Sequence, residues 1–250
     1  MIALRAPAKL TWFLEVLSRR DDGLHELRSE MTTIDVVDVL LIDESADYLR
    51  INSAFDVEVP VDGSNLVARA LALVGRRAGV TIEKSIPVGG GLGGGSADAA
   101  AILRWAGGVS TEQALSLGGD VAFCQMGGRA MVEGVGERLH PLPFEARDLT
   151  LITPSFGVST AACYAAFDEL RSSGWLPDEL NHLEIPAGVV EPRLKTTLAW
   201  LRAEVSPKIQ LAGSGSTLFV PGHLGGNDDV WDAEGPEGTV QFCQTTTTPA

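Results

Sequence analysis

The sequence predicts an α+β protein with two domains, over residues 1–145 and 146–250. Strand patterns and helix patterns come in groups, so the chain has too few strand–helix–strand crossovers for a doubly wound sheet. The polar stretch "PFEARD" separates two such groups near residue 145. A chain of 250 residues is also long enough to form two small domains.

The first group of patterns predicts several strands. Apolar runs and period-2 alternation, which are typical of strands, occur in five stretches: "IALRAPAKLTWFLEVLSRR", "SEMTTIDVVDVLLIDES", "DYLRINS", "FDVEVP" and "VTIEKSIPV". Pro7 interrupts the first stretch, and the two shortest alternating runs are typical of hairpin strands. A further hairpin is predicted in "RAMVEGVGERLHPL".

Three helices are predicted in this first domain. "NLVARALALVGRRAGV" has apolar residues at helical spacing, and Gly79 is the expected stop. "SADAAAILRWA" is alanine-rich, and Ser96 or Asp98 can cap its first turn. "STEQALSL" predicts a short helix that Ser110 or Thr111 caps.

The second domain opens with a strand in "LTLITPS" and continues with two helices, "TAACYAAFDELRSS" and "RLKTTLAWLRAE". A loop is expected around "GWLPDELN", and "LAGSGSTLFVPG" predicts a tight turn. The last residues, "TTTTPA", are expected to be frayed.

Composition and charge exclude several classes of protein. The net charge of −14 argues against a nucleic-acid partner, because phosphate backbones require a basic surface. No apolar run reaches the ~18 residues of a membrane span, and the N-terminal residues lack the pattern of a signal peptide. Three widely spaced cysteines support neither a disulfide framework nor a zinc site. We therefore expect a soluble, cytoplasmic protein without a membrane partner.

The stretch "IPVGGGLGGGSADAAA" has three possible interpretations. A flexible surface loop fits poorly, because a strand pattern precedes the glycines and a helix follows at once. Gly89, Gly91 and Gly94 satisfy the dinucleotide-binding pattern G-x-G-x-x-G, but the strand that should follow the helix is missing. The third interpretation is an anion cradle, in which glycines expose backbone N–H groups and a helix N-terminus adds its dipole. The residues favour this cradle.

Three separated motifs resemble those of the GHMP kinases, the superfamily that includes galactokinase, homoserine kinase and mevalonate kinase. They are "APAKL", "PVGGGLGGGSADAA" and "LAGSGSTLF", and they occur in the family's order across most of the chain. The resemblance implies two domains, an N-terminal one like domain 2 of ribosomal protein S5 and a C-terminal α/β sandwich of ferredoxin-like type. It also implies that ATP and Mg²⁺ are used and that the glycines contact the triphosphate.

Within the superfamily, further stretches resemble the members whose acceptor is a methylerythritol unit bearing a cytidine diphosphate. They are "PAKLTWFLEV", "RRDDGLHEL", "LGGDVAFC" and "GVSTAACYAAFD". This implies transfer of the γ-phosphoryl group of ATP to the 2-hydroxyl of that unit, in the non-mevalonate route to isoprenoid precursors. The alternatives are a GHMP kinase for another small alcohol, such as homoserine or a sugar, and a non-catalytic nucleotide-binding relative. A monomer or a weak homodimer is expected.

The resemblance assigns catalysis to Asp120 and Lys9. Asp120 corresponds to the general base, and Lys9 to the lysine that keeps this carboxylate ionised and orients the acceptor hydroxyl. The plainer alternatives are a turn or helix-capping aspartate after Gly118–Gly119, and a lysine on a solvent-facing strand position.

The resemblance places the nucleotide on the glycine stretch and on one asparagine. The corresponding residues are Pro87, Val88, Gly89, Gly90, Gly91, Leu92, Gly93, Gly94, Gly95, Ser96, Ala97 and Asn65. Ser96 could offer its hydroxyl to Mg²⁺ or a phosphate, or act as a helix cap. Asn65 could lie near the adenine or cap the helix that begins at Leu66. No resident metal site is predicted from protein ligands.

Substrate contacts are assigned to six residues: Thr11, His25, Tyr164, Gly213, Ser214 and Gly215. His25 corresponds to the histidine that hydrogen-bonds cytosine, and Tyr164 to an aromatic that stacks on it, although Tyr164 could equally be a core residue. The sequence departs from the family pattern at Leu24, which replaces an aromatic residue, and at Thr11, which replaces an asparagine. Ala122 stands where the family has a proline.

Overall fold

The computed structural model describes residues 1–53, 55, 59–225 and 229–250. Within these residues the strands form two separate sheets, and helices accompany each sheet. The α+β class is therefore confirmed. The first sheet ends at Pro141 and the second begins at Asp148, and the domain boundary near residue 145 stays a prediction. The predicted strand "FDVEVP" includes residues 56–58, which lie outside the described residues.

The first sheet is built around one long central strand. Its strands are β1 (Ile2–Arg19), β2 (His25–Asp43), β3 (Tyr48–Ser53), β4 (Gly79–Lys84), β5 (Arg129–Gly134) and β6 (Arg138–Pro141). Strand β2 pairs antiparallel with β1 along its whole length, while β4 and β5 share the opposite edge. The register of β1 shifts between Pro7 and Lys9, so the predicted interruption at Pro7 is a β-bulge within one strand.

Four helices belong to this domain: α1 (Leu66–Leu73), α2 (Gly94–Trp105), α3 (Thr111–Leu115) and α4 (Val121–Met126). Helix α2 buries an unbroken run of side chains from Ala97 to Leu103. Its alanines let the helix approach β1 and α4 closely, and this packing fixes the direction of the helix N-terminus. Ser110 and Gln113 form a capping box on α3, as the pattern predicts.

The strands of the second sheet are β7 (Asp148–Pro154), β8 (Gln210–Leu211), β9 (Leu218–Pro221), β10 (Val230–Gly235) and β11 (Gly238–Thr246). This sheet is entirely antiparallel, in the order β10-β11-β7-β9-β8. The accompanying helices are α5 (Thr160–Ser172), α6 (Glu184–Val190) and α7 (Pro192–Glu204). No helix in the described part of the chain is long and apolar enough to cross a membrane.

One local prediction in the first domain, the helix stop at Gly79, is wrong. Helix α1 ends at Leu73, followed by Gly75 with φ +64°, whereas Gly79 opens strand β4. At Gly79 a Cβ atom would lie 2.4 Å from the Tyr48 ring, so glycine serves packing there. Strand β3 pairs parallel with β4, and its predicted hairpin partner "FDVEVP" lies partly outside the described residues.

The prediction that "TTTTPA" is frayed is also wrong. Thr246 ends strand β11, Thr247 forms a bridge with Ile34, and the Thr248 N–H donates to the Thr33 carbonyl at 2.9 Å. Polar composition predicts fraying only when the backbone lacks partners, and here the first domain supplies them.

An ion-pair ring ties the joint between the domains. Glu30 accepts bonds from Arg129 at 2.8 Å and Arg147 at 3.1 Å. Glu145 pairs with the same two arginines at 3.0 and 2.6 Å, and the Arg147 guanidinium lies 4.5 Å above the Trp12 ring. Four charged groups thus alternate in sign around the joint, which holds the second sheet against the first.

Candidate active site

The glycine stretch forms the connection between β4 and α2, and its backbone requires glycine at several positions. Gly89, Gly91 and Gly93 have φ of +70°, +76° and +69°. A Cβ on Gly91 would lie 2.2 Å from the Ala212 carbonyl oxygen, and one on Gly90 2.5 Å from Thr217 Oγ1. Gly90 and Gly91 therefore leave space for the turn of the second domain as well as for a phosphate.

Helix α2 begins earlier than predicted, and neither predicted cap is used. Gly93 is the N-cap residue and no side chain caps the helix. Ser96 lies within the first turn, and Asp98 is buried and bonded to Lys84. The first helical hydrogen bond runs from the Ala97 N–H to the Gly93 carbonyl at 2.8 Å. The preceding N–H groups, those of the first turn, are consequently free to bind an anion.

Lys9 is buried, which excludes the solvent-facing alternative. The bulge in β1 precedes it, and its N–H donates to the Leu92 carbonyl at 3.0 Å. Glycines flank its side chain: a Cβ on Gly93 would lie 2.9 Å from Lys9 Cγ, and one on Gly213 3.2 Å from Nζ. The Nζ also donates to Thr11 Oγ1 at 3.2 Å. All three motifs thus meet at one ammonium group.

Asp120 occupies the N-cap position of α4, but its side chain makes no capping bond. Instead Oδ2 lies 3.5 Å from Lys9 Nζ, and the carboxylate is about a third exposed. The capping alternative is therefore wrong. The arrangement leaves one side of the carboxylate paired with a buried cation and the other side open to a ligand.

Two cavities meet at Asp120. The larger, of about 730 Å³, extends toward His25 and Asp168, and the smaller, of about 290 Å³, is lined by Lys9 and the glycine loop. Their shared lining residues are Leu27, Met31, Ser96, Asp120, Thr160 and Tyr164. A group held in one cavity would therefore face a group held in the other across the carboxylate.

The far end of the larger cavity carries a polar and aromatic cluster. His25 Nε2 lies 2.7 Å from Asp168 Oδ1, and Arg19 pairs with the same carboxylate at 3.3 Å. The rings of His25 and Tyr164 stack at 4.8 Å with an interplanar angle of 23°. Leu24 lines the mouth and is half exposed. His25 and Tyr164, predicted from separate domains, are thus brought together.

Tyr164 links the two ends of the larger cavity. Burial raises the pKa of its hydroxyl, and the negative charge of Asp120 raises it further. The hydroxyl therefore stays protonated at neutral pH, as a hydrogen-bond donor. This position in a cavity wall argues against a purely structural role.

The turn of the second domain is held beside the cradle by side chains. Ser214 lines the smaller cavity and its Oγ bonds Thr160 Oγ1 at 2.8 Å. Asn181 is buried and donates to the Leu211 and Gly213 carbonyls at 2.9 and 2.7 Å. The Thr217 N–H donates to the Gly90 carbonyl at 3.2 Å. These bonds fix the third motif against the second.

Some predicted site residues do not line either cavity. They are Thr11, Asn65, Val88, Ala97 and Gly215. Asn65 is confirmed as a cap, since Oδ1 accepts from the Val67 N–H at 2.8 Å while Nδ2 donates to the Pro60 carbonyl. Thr11 lies beneath Lys9 as its hydrogen-bond partner. Ligand contacts at these five residues stay predictions.

Asp168 and Ser29 are among the residues of the larger cavity that were not predicted from the sequence. Asp168 follows Tyr164 by four positions in α5, so helical periodicity could have placed both on one face. Ser29 is fully buried in the wall of the larger cavity, and its Oγ has no hydrogen-bond partner within the described residues. No sequence signal distinguishes it from other small strand residues.

The fold and this site define a GHMP kinase, and the family model "GHMP kinases N terminal domain" matches residues 65–128. A 4-diphosphocytidyl-2-C-methyl-D-erythritol kinase from Paracoccus denitrificans is 37% identical over 231 residues, covering 86% of this chain and 84% of the relative. A namesake from Ruegeria pomeroyi is 35% identical, with 86% of each chain covered. The chain belongs to the family of 4-diphosphocytidyl-2-C-methyl-D-erythritol kinases.

Solved structures agree with this assignment. A crystal structure of 4-(cytidine 5'-diphospho)-2C-methyl-D-erythritol kinase is 30% identical and superposes with a TM-score of 0.70, covering 99% of this chain and 100% of that chain. A mevalonate kinase crystal structure, at 12% identity and a TM-score of 0.55, covers 100% of both chains and shows the shared fold alone.

Proposed function

We propose that this chain transfers the γ-phosphoryl group of ATP to the 2-hydroxyl of 4-diphosphocytidyl-2-C-methyl-D-erythritol, in the non-mevalonate route to isoprenoid precursors. One observation carries the proposal: the Lys9–Asp120 pair lies where the glycine-lined cavity meets the larger one. A carboxylate between two binding cavities is positioned to serve a reaction between their two ligands.

The smaller cavity suits a triphosphate. Open N–H groups of the first turn of α2 and the positive end of its dipole point toward an anion. The chain carries a net charge of −14, so the attraction has to be local, and backbone dipoles and Lys9 supply it.

In the reaction, Asp120 accepts the proton of the 2-hydroxyl as that oxygen attacks the γ-phosphorus. The new O–P bond forms while the bond between the γ-phosphorus and the β–γ bridging oxygen breaks, and ADP leaves. Lys9 lies beside Asp120 and compensates the negative charge that develops on the phosphoryl group. The chain thus supplies position and charge rather than covalent catalysis.

Mg²⁺ fits the site through few protein ligands. No group of three His, Cys, Asp or Glu side chains gathers as a metal site within the described residues. Mg²⁺ at nucleotide sites is commonly held by one or two protein oxygens together with phosphates and water. Ser96, which lines both cavities, would supply one such protein oxygen. When bound, the ion neutralises phosphate charge.

The larger cavity suits the cytidine diphosphate and its polyol. If the Asp168 carboxylate accepts from His25 Nε2–H, the Nδ1 of a neutral imidazole remains an acceptor for the exocyclic amine of cytosine. Tyr164 offers an aromatic surface, while Leu24 gives apolar contact in place of a second ring. A cytoplasmic location and a monomer or weak homodimer remain predictions from the sequence.

The test is ADP release from Mg²⁺–ATP with and without 4-diphosphocytidyl-2-C-methyl-D-erythritol, with homoserine and galactose as parallel acceptors. We expect release only with the cytidyl substrate, and a phosphorus NMR signal for a new phosphomonoester. If only homoserine or galactose stimulated ADP release, that compound would replace the cytidyl substrate as the proposed acceptor. If the protein bound nucleotide but none of the three acceptors stimulated ADP release, a non-catalytic relative would be favoured.

A further inference from the structure

A buried cluster of three ionisable side chains lies directly behind the glycine loop. Lys84 Nζ donates to Asp38 Oδ2 in a short contact and to Asp98 Oδ2 at 2.9 Å. All three side chains are at most 5% exposed. They come from β2, β4 and α2, and none of them lines the cavities described above.

The cluster contacts the loop at its start. Asp38 Oδ1 accepts the backbone N–H groups of Ser85 at 2.6 Å and Ile86 at 2.8 Å. These are the two residues that precede Pro87, where the loop begins. One carboxylate therefore bonds the ammonium group with one oxygen and the incoming backbone with the other.

The same cluster contacts the loop at its end. Asp98 lies in α2, a little over one turn after the helix begins at Gly94. A Cβ on Gly94 would lie 3.1 Å from Lys84 Nζ, so the ammonium group sits against the first residue of the helix. The start and the end of the loop are thus joined through one cation.

Six glycines lie between Ile86 and Asp98, and glycine loses more backbone freedom on ordering than any other residue. An untethered loop would be in its binding conformation only part of the time, which lowers affinity in proportion. We propose that the Asp38–Lys84–Asp98 cluster is a positioning element that holds both ends of the glycine loop and preorganises it for nucleotide phosphates. The inference rests on the proposed use of this loop for ATP.

Stability alone does not account for this arrangement. A buried ion cluster is weak evidence of stabilisation, because well-packed apolar residues serve as well or better. Here two carboxylates share one cation, and Asp98 Oδ1 has no hydrogen-bond partner in the described part of the chain. The second carboxylate, that of Asp98, lies beside the residues where the chain enters and leaves the loop.

Asp98→Ala tests the proposal, because it severs the link to the helix and leaves the Lys84–Asp38 pair intact. We expect amide hydrogen exchange in the peptide over residues 85–96 to accelerate. The Kd for Mg²⁺–ATP should rise about tenfold if the loop is then competent a tenth of the time, while the Kd for the cytidyl substrate stays unchanged. Asp98→Asn keeps an acceptor for Lys84 and should restore both values toward wild type.

Arg104→Met is the matched control. Arg104 anchors the opposite end of the same helix by donating to the Cys124 and Arg5 carbonyls. Its loss should lower the melting temperature without changing loop exchange or nucleotide affinity. Equal effects of the Asp98→Ala and Arg104→Met changes would show that the cluster only stabilises the helix, and would overturn the proposal.

A measurement on the wild-type protein covers the case in which Asp98→Ala does not fold. The amides of Ser85 and Ile86 should be as protected from exchange as those in the middle of α2. Fast exchange of these two amides would by itself overturn the proposal that the cluster holds the loop. If the wild type bound no nucleotide, the proposed function would fail, whereas the exchange data would still decide whether the cluster holds the loop.

Discussion

Lys9 Nζ lies 3.5 Å from Asp120 Oδ2, and this contact joins the middle of the first strand to the start of α4. The Lys9 side chain is almost entirely buried, whereas Asp120 keeps one side open to both cavities. The pair is therefore asymmetric: the cation is fixed by its surroundings, and the carboxylate is the member that can meet a ligand.

Asp120→Asn should abolish most of the turnover while leaving nucleotide binding nearly intact. The asparagine amide cannot take up the proton of the substrate hydroxyl. Loss of a general base lowers kcat by about 10²–10⁴-fold. Steady-state kinetics and calorimetry with Mg²⁺–ATP measure the two quantities. Asp232→Asn, on an exposed position of β10, serves as the control. Turnover near the wild-type value in Asp120→Asn would remove this residue from the reaction.

Lys9→Arg should not rescue Lys9→Met, although it preserves the charge. Gly93 and Gly213 close around the lysine side chain so tightly that a Cβ on either would come within 3.2 Å of it. A planar guanidinium has no space between them. Both variants should lose kcat, and Lys9→Arg should also lower the melting temperature. An arginine variant with wild-type kcat would show that only charge matters at this position.

Asp168→Asn should raise the KM for the cytidyl substrate by about tenfold or more, the cost of disturbing one charge-assisted hydrogen bond. The KM for ATP should stay unchanged, since Asp168 lines only the larger of the two cavities. Glu169→Gln, an exposed neighbour on the same helix, is the control. Equal changes in both KM values would contradict a role confined to the nucleoside end.

Asp98 should make the stability of the protein depend on pH. Burial raises its pKa to about 7, from an ordinary value of 3.8, and Asp38 opposes its ionisation while Lys84 favours it. The Cys124 thiol also faces it, but burial raises that pKa to about 12, so the thiol is neutral. Between about pH 4 and 7 the folded state retains a proton that the unfolded state has lost.

The free energy of unfolding should therefore fall as pH rises through this range, by at most ~1.4 kcal/mol per pH unit, and level off above pH 7. Lys84, whose pKa is raised, contributes only at pH values above this window. Urea unfolding of wild type and Asp98→Asn between about pH 5 and 8 measures the difference. Parallel curves for the two proteins would contradict the assignment.

Gly91→Ala should destabilise the protein more than Gly89→Ala. Both residues have positive φ, which costs an L-residue about 1–2 kcal/mol. Only Gly91 faces the second domain, where a Cβ would lie 2.2 Å from the Ala212 carbonyl oxygen, whereas the space around Gly89 is open. Thermal unfolding compares them directly. Equal melting temperatures would mean that the contact between the domains relaxes at no cost.

The sequence was sufficient to predict the α+β class, most strands, and the meeting of Lys9 with Asp120. Long strands and the glycine stretch carry strong local signals, and the family motifs link residues that lie far apart. Helices α4 and α6 were missed because no side chain caps either of them, whereas the still shorter α3 has its Ser110 cap; α6 also contains Pro186.

Other features depend on tertiary partners that no local pattern encodes. The tail at Thr248 is ordered by Thr33, and the unpartnered hydroxyl of Ser29 is evident only once the surrounding wall is built. Helix α2 starts at Gly94 rather than near Ser96 because Gly93, with its positive φ, takes the N-cap position. Glycine at position 93 also leaves room for the Lys9 side chain, so this residue serves both the start of the helix and the packing of the lysine.

The lysine enclosed by glycines from both domains has a consequence for dividing the chain. Fragments 1–145 and 146–250, produced separately, would each carry half of the enclosure, with Gly93 on one piece and Gly213 on the other. Neither fragment alone would be active, and mixing them would restore turnover only to the extent that they reassociate. Turnover therefore requires that the two parts of the chain be held together around Lys9.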